Sequence, residues 1–243
     1  MTDPSRPAII RGVQIRKHFG GIAATDGVDF DVLEGDLVGL IGPNGSGKTT
    51  LINILTGHLA AESGDVFLRD RRMTARPPHE FAAHGVGRTF QLTQLFGRMT
   101  VLENMLVPGL TRPHSTWASA TEQARRHLAF LNLEHLSGLE AKNLSGGQQK
   151  LLELGRALML DPAVLFLDEP FAGVHPKLRE ELIKRILQLH ESGRTFVVVD
   201  HDMESILRIA GRLVVMARGR KIADGPPAAV REDQTVLAAY SGF

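Results

Sequence analysis

The chain has 243 residues, 43% hydrophobic and 23% charged, with 28 Lys and Arg against 27 Asp and Glu and a formal net charge of +1. Such proportions describe a globular chain with an ample core, organised as one large domain or one domain with a subdomain. The charge balance excludes a broad basic footprint for nucleic acid, though not a local patch. The absence of cysteine excludes disulfides, thiolate catalysis and cysteine zinc sites, and fits a reducing compartment.

In chain order, Met1 to Pro7 is polar and lacks an apolar stretch, so no secretory leader is expected. Val28 to Val32 alternates apolar and acidic residues, the period of a strand with one wet face, and with Ile9 to Phe19 it predicts an antiparallel sheet near the N-terminus. Leu37 to Ile41 is continuously apolar, as in a strand buried on both faces of a parallel sheet. A glycine-rich loop follows, then a helix over Thr49 to Leu59. Val164 to Leu167, Phe196 to Val199 and Leu213 to Met216 read as further buried strands, separated by helical patterns such as Leu178 to His190. Strands alternating with helices predict an α/β fold with a mostly parallel core sheet. Between Leu92 and Asp161 strand signals give way to helical runs, notably Glu122 to Leu131 and Gln148 to Leu160. The expected organisation is an α/β core with its antiparallel β-subdomain over 1–91 and 162–243, with a helical subdomain inserted at 92–161. Trp117 in that insertion reads as a packing residue. The apolar runs fall far short of the roughly 20 residues of a membrane span, so a role at a membrane requires docking on another protein. The chain ends soon after its last α/β unit, with no appended regulatory domain expected.

Three motifs carry chemistry. Gly42-Pro43-Asn44-Gly45-Ser46-Gly47-Lys48-Thr49, with Thr50 beside it, fits G-x-x-x-x-G-K-[ST]. Its glycines let successive backbone N–H groups turn around phosphate oxygens, and the following helix adds its positive end. Lys48 then neutralises the β- and γ-phosphates of a nucleoside triphosphate, and the Thr49 hydroxyl ligates Mg²⁺. Leu165-Phe166-Leu167-Asp168-Glu169 is a hydrophobic strand ending in two acids. Alone, that is a solvated strand end. With a phosphate loop, Asp168 holds hydrated Mg²⁺ and Glu169 faces a water aligned on the γ-phosphate, as a general base must. Leu144-Ser145-Gly146-Gly147-Gln148 opens a helix with a serine and two glycines, leaving a hydroxyl and bare N–H groups.

That pentapeptide matches the signature motif of ATP-binding cassette (ABC) proteins, and the three motifs stand in that family's order. The resemblance covers essentially the whole chain and implies the P-loop ABC ATPase fold, ATP as the nucleotide and Mg²⁺ as its metal. It further implies that Phe19, in Lys17-His18-Phe19-Gly20-Gly21, stacks on adenine. Gln91, in Arg88-Thr89-Phe90-Gln91, senses Mg²⁺ and the attacking water, and His201, after the strand ending in Asp200, contacts the γ-phosphate. A metal site at His201 has no second His or Cys at ligand spacing to support it. One departure is His175, in Ala172-Gly173-Val174-His175-Pro176, where relatives carry Asp or Asn; it puts the subunit contacts of that loop in doubt.

The family arrangement implies a dimer in which ATP lies between the phosphate loop of one chain and Ser145, Gly146, Gly147 and Gln148 of a second ATPase subunit, identical or different, head to tail. His79 to Gln91, Leu95 to Asn104 and Ala239-Tyr240 resemble the ATPases of branched-chain amino-acid uptake systems, related to those for amides and urea. Such systems add two membrane permeases and, indirectly, an extracytoplasmic solute-binding protein; no nucleic-acid partner is expected. The implied location is cytoplasmic, peripheral on the inner face of the cell membrane. Leu92 to Leu106 is expected to line the groove for a permease helix, with Leu95, Phe96 and Met99 as apolar contacts or as core. An exporter ATPase of lipid or lipopolysaccharide type shares the same motifs, and a non-transport ABC ATPase is a further alternative.

Overall fold

A computed structural model describes residues 6–112 and 114–241; of the polar start, residues 1–5 lie outside the described residues. Two sheets organise the chain. The antiparallel sheet has the order β2-β1-β4-β5, with β1 at Ala8–Phe19, β2 at Ile22–Leu33, β4 at Ser63–Leu68 and β5 at Arg71–Arg72. The second sheet has β3 at Leu37–Ile41, β6 at Val86–Arg88, β7 at Val164–Asp168, β8 at Thr195–Val199, β9 at Arg212–Ala217 and β10 at Arg220–Gly225. Its order is β10-β9-β3-β8-β7-β6, parallel throughout except for the antiparallel β9–β10 hairpin.

The burial pattern follows from the side-chain period of two. Val28, Phe30 and Val32 of β2 point inward while Asp29 is exposed, as the alternation predicts. Strands β3, β7 and β8 are buried at every position because the sheet is covered on both faces. Leu37, Ile41, Leu165 and Leu167 belong to one apolar cluster, with α3 (Val101–Gly109), α4 (Trp117–Phe130), α5 (Gly146–Leu158), α6 (Pro176–Glu191) and α7 (Met203–Ile209). Val38, Leu40, Val164 and Phe166 belong to the other, with α1 (Lys48–Leu55), α2 (Pro78–Ala83) and the inner face of the antiparallel sheet. Helices α8 (Pro227–Glu232) and α9 (Gln234–Ser241) follow the hairpin.

Helix boundaries are set by caps. Helix α1 ends at Leu55, earlier than the predicted Leu59, because Gly57 takes φ 75°. Helices α3, α4 and α5 each begin with a reciprocal capping box: Thr100 with Glu103, Thr116 with Ser119, and Ser145 with Gln148. The second box starts α4 at Trp117, five residues before the predicted Glu122, and it overturns the packing role expected of Trp117. At the first helical position that side chain stands outside the core, 65% exposed. Within Leu92 to Leu106, Val101, Met105 and Leu106 are core and Leu95 packs on it, the core alternative for those positions, while Leu92 and Phe96 are exposed.

Candidate active site

Strand β3 delivers the chain into the glycine loop at the sheet's C-terminal edge. Gly42 takes φ 147°, Gly45 φ 74° and Gly47 φ 102°. A Cβ on Gly42 would stand 2.1 Å from the Met216 carbonyl oxygen, and one on Gly47 2.0 Å from that of Ala24, so the loop lies too close to its neighbours for side chains at these positions. Gly47 caps α1 with no side-chain hydrogen bond, which leaves the first-turn N–H groups uncapped, as an anion-binding helix start requires. Lys48 Nζ folds back over the loop, donating to the carbonyls of Gly42 (2.8 Å) and Pro43 (2.9 Å). Burial holds its ammonium below the ordinary lysine range, opposed by the carboxylates of Glu169 and Asp168. Thr49 is exposed and Thr50 half-buried on the opening turn.

The neighbouring strands supply the rest. Because β6, β7 and β8 lie side by side, their C-terminal ends bring together residues far apart in the chain. Asp168 closes β7, buried, with Oδ2 accepting from Arg88 Nη2 at 3.1 Å. Glu169 turns out of the strand in the left-handed region, φ 47°, its N–H donating to the Val199 carbonyl at 2.7 Å. Its Oε2 accepts from Gln91 Nε2 at 3.0 Å, and His201 Nδ1 stands 3.9 Å from the same oxygen. Buried Asp200 fixes both adjoining turns, accepting from the N–H groups of Phe171 and Asp202, each at 2.9 Å. Gln91, Glu169 and His201 thus converge, while Lys48 feels both acids.

Thr49, Gln91 and Asp168 present a hydroxyl, an amide oxygen and a carboxylate, hard oxygen donors that suit Mg²⁺. Among the described residues no group of three or more His, Cys, Asp or Glu forms a complete metal cage. That donor set fits an ion that keeps waters and phosphate oxygens as its other ligands.

The structure does not bring every expected residue to this point. Two clefts border the glycine loop, and Ser145–Gln148 line neither of them. At the start of α5, Ser145 Oγ accepts from Gln148 N at 3.4 Å while Gln148 Oε1 accepts from Ser145 N at 2.9 Å. Gly146 has open space around it, and a Cβ on Gly147 would meet Leu178 Cδ1 at 2.5 Å. Phe19 stands on the end of β1, 52% exposed with Lys17 Nζ 5.7 Å from its ring centre, so it is no core residue. His175, the departure in the loop after β7, caps α6, with Nδ1 accepting from Lys177 N at 3.4 Å.

Some site neighbours escape a reading of the sequence. Glu153 of α5 is buried, accepting through Oε1 from Phe90 N at 3.2 Å and Gln94 N at 3.3 Å. Lys150 Nζ donates to the Gln91 carbonyl at 2.8 Å, and Arg156 donates to that of Gln94. The signal was an acid within a run of buried leucines, Leu151, Leu152 and Leu154. Tyr240 shares a cleft with Gly42, Pro43, Asn44, Asp200 and His201, its hydroxyl facing the Gly42 N–H; nothing local in the sequence announces this.

Residues 25–172 match the model of the ABC transporter family, and residues 220–240 match that of the branched-chain amino acid ATP-binding cassette transporter. The high-affinity branched-chain amino acid transport ATP-binding protein LivG of Salmonella typhimurium is 36% identical over 257 residues, covering 98% of this chain and 99% of that protein. The corresponding protein BraF of Pseudomonas aeruginosa is 37% identical over 254 residues, with 98% and 99% covered. Among solved structures, the ADP conformation of an ATP-binding cassette of an ABC transporter superposes with a TM-score of 0.87 at 39% identity, covering 97% of this chain and 99% of that one. A cassette solved as a dimer in a post-hydrolysis state with ADP and Pi gives 0.81 at 26% identity, with 89% and 98% covered. By motif, fold and relatives alike, the chain belongs to the ABC transporter family and is one of its ATP-binding cassettes, an ATPase subunit.

Proposed function

We propose that this ATPase powers uptake of branched-chain amino acids or related amides, hydrolysing ATP with Glu169 as general base. The observation that carries the catalytic half is the convergence of Gln91 and His201 on Glu169 Oε2, beside a lysine that feels both acids. In this reading the bare N–H groups of the Gly42–Thr49 loop hold the phosphates, Lys48 exchanges its carbonyl partners for β- and γ-oxygens, and Phe19 stacks on adenine. Thr49, Gln91 and Asp168 would hold Mg²⁺, which supplies charge neutralisation at the phosphates. His201 orients the γ-phosphate, and Glu169 takes a proton from the attacking water.

Ser145–Gln148 stand away from the loop's clefts, and this supports their binding the γ-phosphate held by a second subunit, head to tail. The helical segment 92–161 carries that signature. Among the described residues no helix is long and apolar enough to cross a membrane. Attachment to permease subunits is therefore proposed through Leu92 and Phe96, the exposed apolar residues beside Gln91. The substrate reading rests on the names of the relatives and on the match over residues 220–240.

The direct test is Glu169→Gln. The variant is expected to bind ATP, to lose roughly 10²- to 10⁴-fold in turnover, and to accumulate as a dimer in size-exclusion chromatography with light scattering. Turnover like the wild type's would remove Glu169 as the base.

A further inference from the structure

Arg88 opens the Arg88-Thr89-Phe90-Gln91 stretch without a role of its own there, yet among the described residues it is one of the more enclosed charges, its side chain 7% exposed. It ends β6, two residues before Phe90. Its guanidinium has distinct partners on distinct elements. Nη2 donates to Asp168 Oδ2 at 3.1 Å, and Nη1 donates to Thr56 Oγ1 at 2.9 Å. Thr56 caps the C-terminal end of α1 and donates in turn to the Ile52 carbonyl at 2.7 Å. The guanidinium carbon stands 4.9 Å from the centre of the Phe90 ring, and that centre lies 5.4 Å from the centre of the His58 ring, the two planes at 76°. Nε is buried without a hydrogen-bond partner, so the group's hydrogen bonds in the interior are those of Nη1 and Nη2.

We propose that Arg88 is a positioning residue, locking Asp168 by one carboxylate oxygen and tying it both to the helix that begins in the phosphate loop and to the segment that carries Gln91. The rigid fork of a guanidinium suits this, because two donors at fixed spacing hold an acid and a hydroxyl at once, which an ammonium does not reproduce. With Oδ2 occupied, Asp168 is left to present Oδ1. The link to Phe90 means that a displacement of the Gln91 segment also moves the partner of the acid. The proposal rests on the reading of Asp168 as an acid facing Mg²⁺; it adds a residue behind that acid and outside its reach of the nucleotide.

The test measures Mn²⁺ binding by electron paramagnetic resonance in the presence of ATP, in a Glu169→Gln background that does not turn over. ATP binding in EDTA and the melting temperature are measured alongside. Partners behind a ligating group typically set metal affinity by roughly 10- to 100-fold. Arg88→Lys and Arg88→Met are therefore expected to weaken Mn²⁺ binding by that factor while ATP binding in EDTA holds. Thr56→Val, which removes only one anchor, is expected to give the same pattern at a few-fold, and it carries the test if the arginine variants do not fold. Asp168→Asn separates the two levels of inference. If it leaves Mn²⁺ binding unchanged, the assignment of Asp168 fails and Arg88 with it. If it weakens Mn²⁺ binding but the Arg88 and Thr56 variants bind Mn²⁺ as tightly as the parent or more tightly, or lose Mn²⁺ and metal-free ATP binding in equal proportion, the positioning role is overturned.

Discussion

Glu153 shows how much a single buried acid can say. Its Oε1 accepts from two backbone N–H groups, while Oε2 is buried without a hydrogen-bond partner. Burial raises its pKa above the ordinary carboxylate value, opposed by the N–H groups of Phe90 and Gln94 and by Lys150 and Arg156. The sign follows from proton binding. A folded-state pKa above the unfolded one means that the folded chain holds more protons between the two values. The contribution of Glu153 is thus complete below the ordinary carboxylate value, about 4.3, and is lost as pH rises through the folded pKa. Melting temperatures of wild type and Glu153→Gln, measured against pH, should diverge in that window, the wild type falling relative to the variant; a constant difference would refute the shift. Gly47 makes a second claim at this scale. With φ 102° and a carbonyl oxygen 2.0 Å from any Cβ, Gly47→Ala should lower stability by at least about 1–3 kcal/mol and abolish ATP binding, as read by denaturation and equilibrium titration.

Among the elements, α5 does more than present a signature. Gln149, Lys150, Glu153 and Arg156 recur at helical spacing along one side and reach Thr93, Phe90, Gln91 and Gln94. The helix that opens with Ser145 therefore clasps the segment after Gln91, so neither moves independently of the other. Glu153→Ala should speed amide hydrogen exchange over residues 90–96 by at least roughly tenfold, the factor for about 1.4 kcal/mol of lost hydrogen bonding. Unchanged exchange would show that the clasp is held elsewhere. The buried strands β3, β7 and β8 were legible because both-sided burial writes an unbroken apolar run. Strands β6 and β10 were not: the first has three residues, and the second, Arg220–Gly225, is polar at an antiparallel edge. The motifs were equally plain, since glycines in a tight loop and acids at a strand end are local demands of the backbone. What no local pattern holds is strand order. Gln91, Glu169 and His201 follow three different strands, and only the adjacency of β6, β7 and β8 makes them neighbours. Arg88 was invisible for the same reason, its partner lying 80 residues away.

Seen whole, the protein keeps Ser145–Gln148 away from the two clefts beside the glycine loop, as the proposed shared site requires. If the site is shared head to tail, Lys48→Ala and Ser145→Arg should each be inactive alone. Mixed in equal amounts, they should recover part of the wild-type turnover, because one of the two sites in a mixed pair combines an intact loop with an intact signature. No recovery, under conditions where Glu169→Gln pairs, would place the site within one chain. The caps of α1 and α5 carry this further. At the loop, α1 starts on a glycine with no side chain to satisfy its N–H groups, whereas α5 starts on Ser145 and Gln148 already bonded to each other. In the shared-site reading, an arriving phosphate finds no side-chain cap at the first helix, whereas at the second it must displace the Ser145–Gln148 bonds to reach the Ser145 hydroxyl and the Gln148 N–H. The two ends therefore differ in rank. On the proposed function, a single chain would load nucleotide at the loop before any partner arrives, and the signature would engage when a charged phosphate outcompetes a neutral amide. Once the cleaved phosphate departs, the Ser145–Gln148 pair could close again and the second subunit would let go. The caps thus give the proposed shared site a direction of events: loading, pairing, cleavage, release.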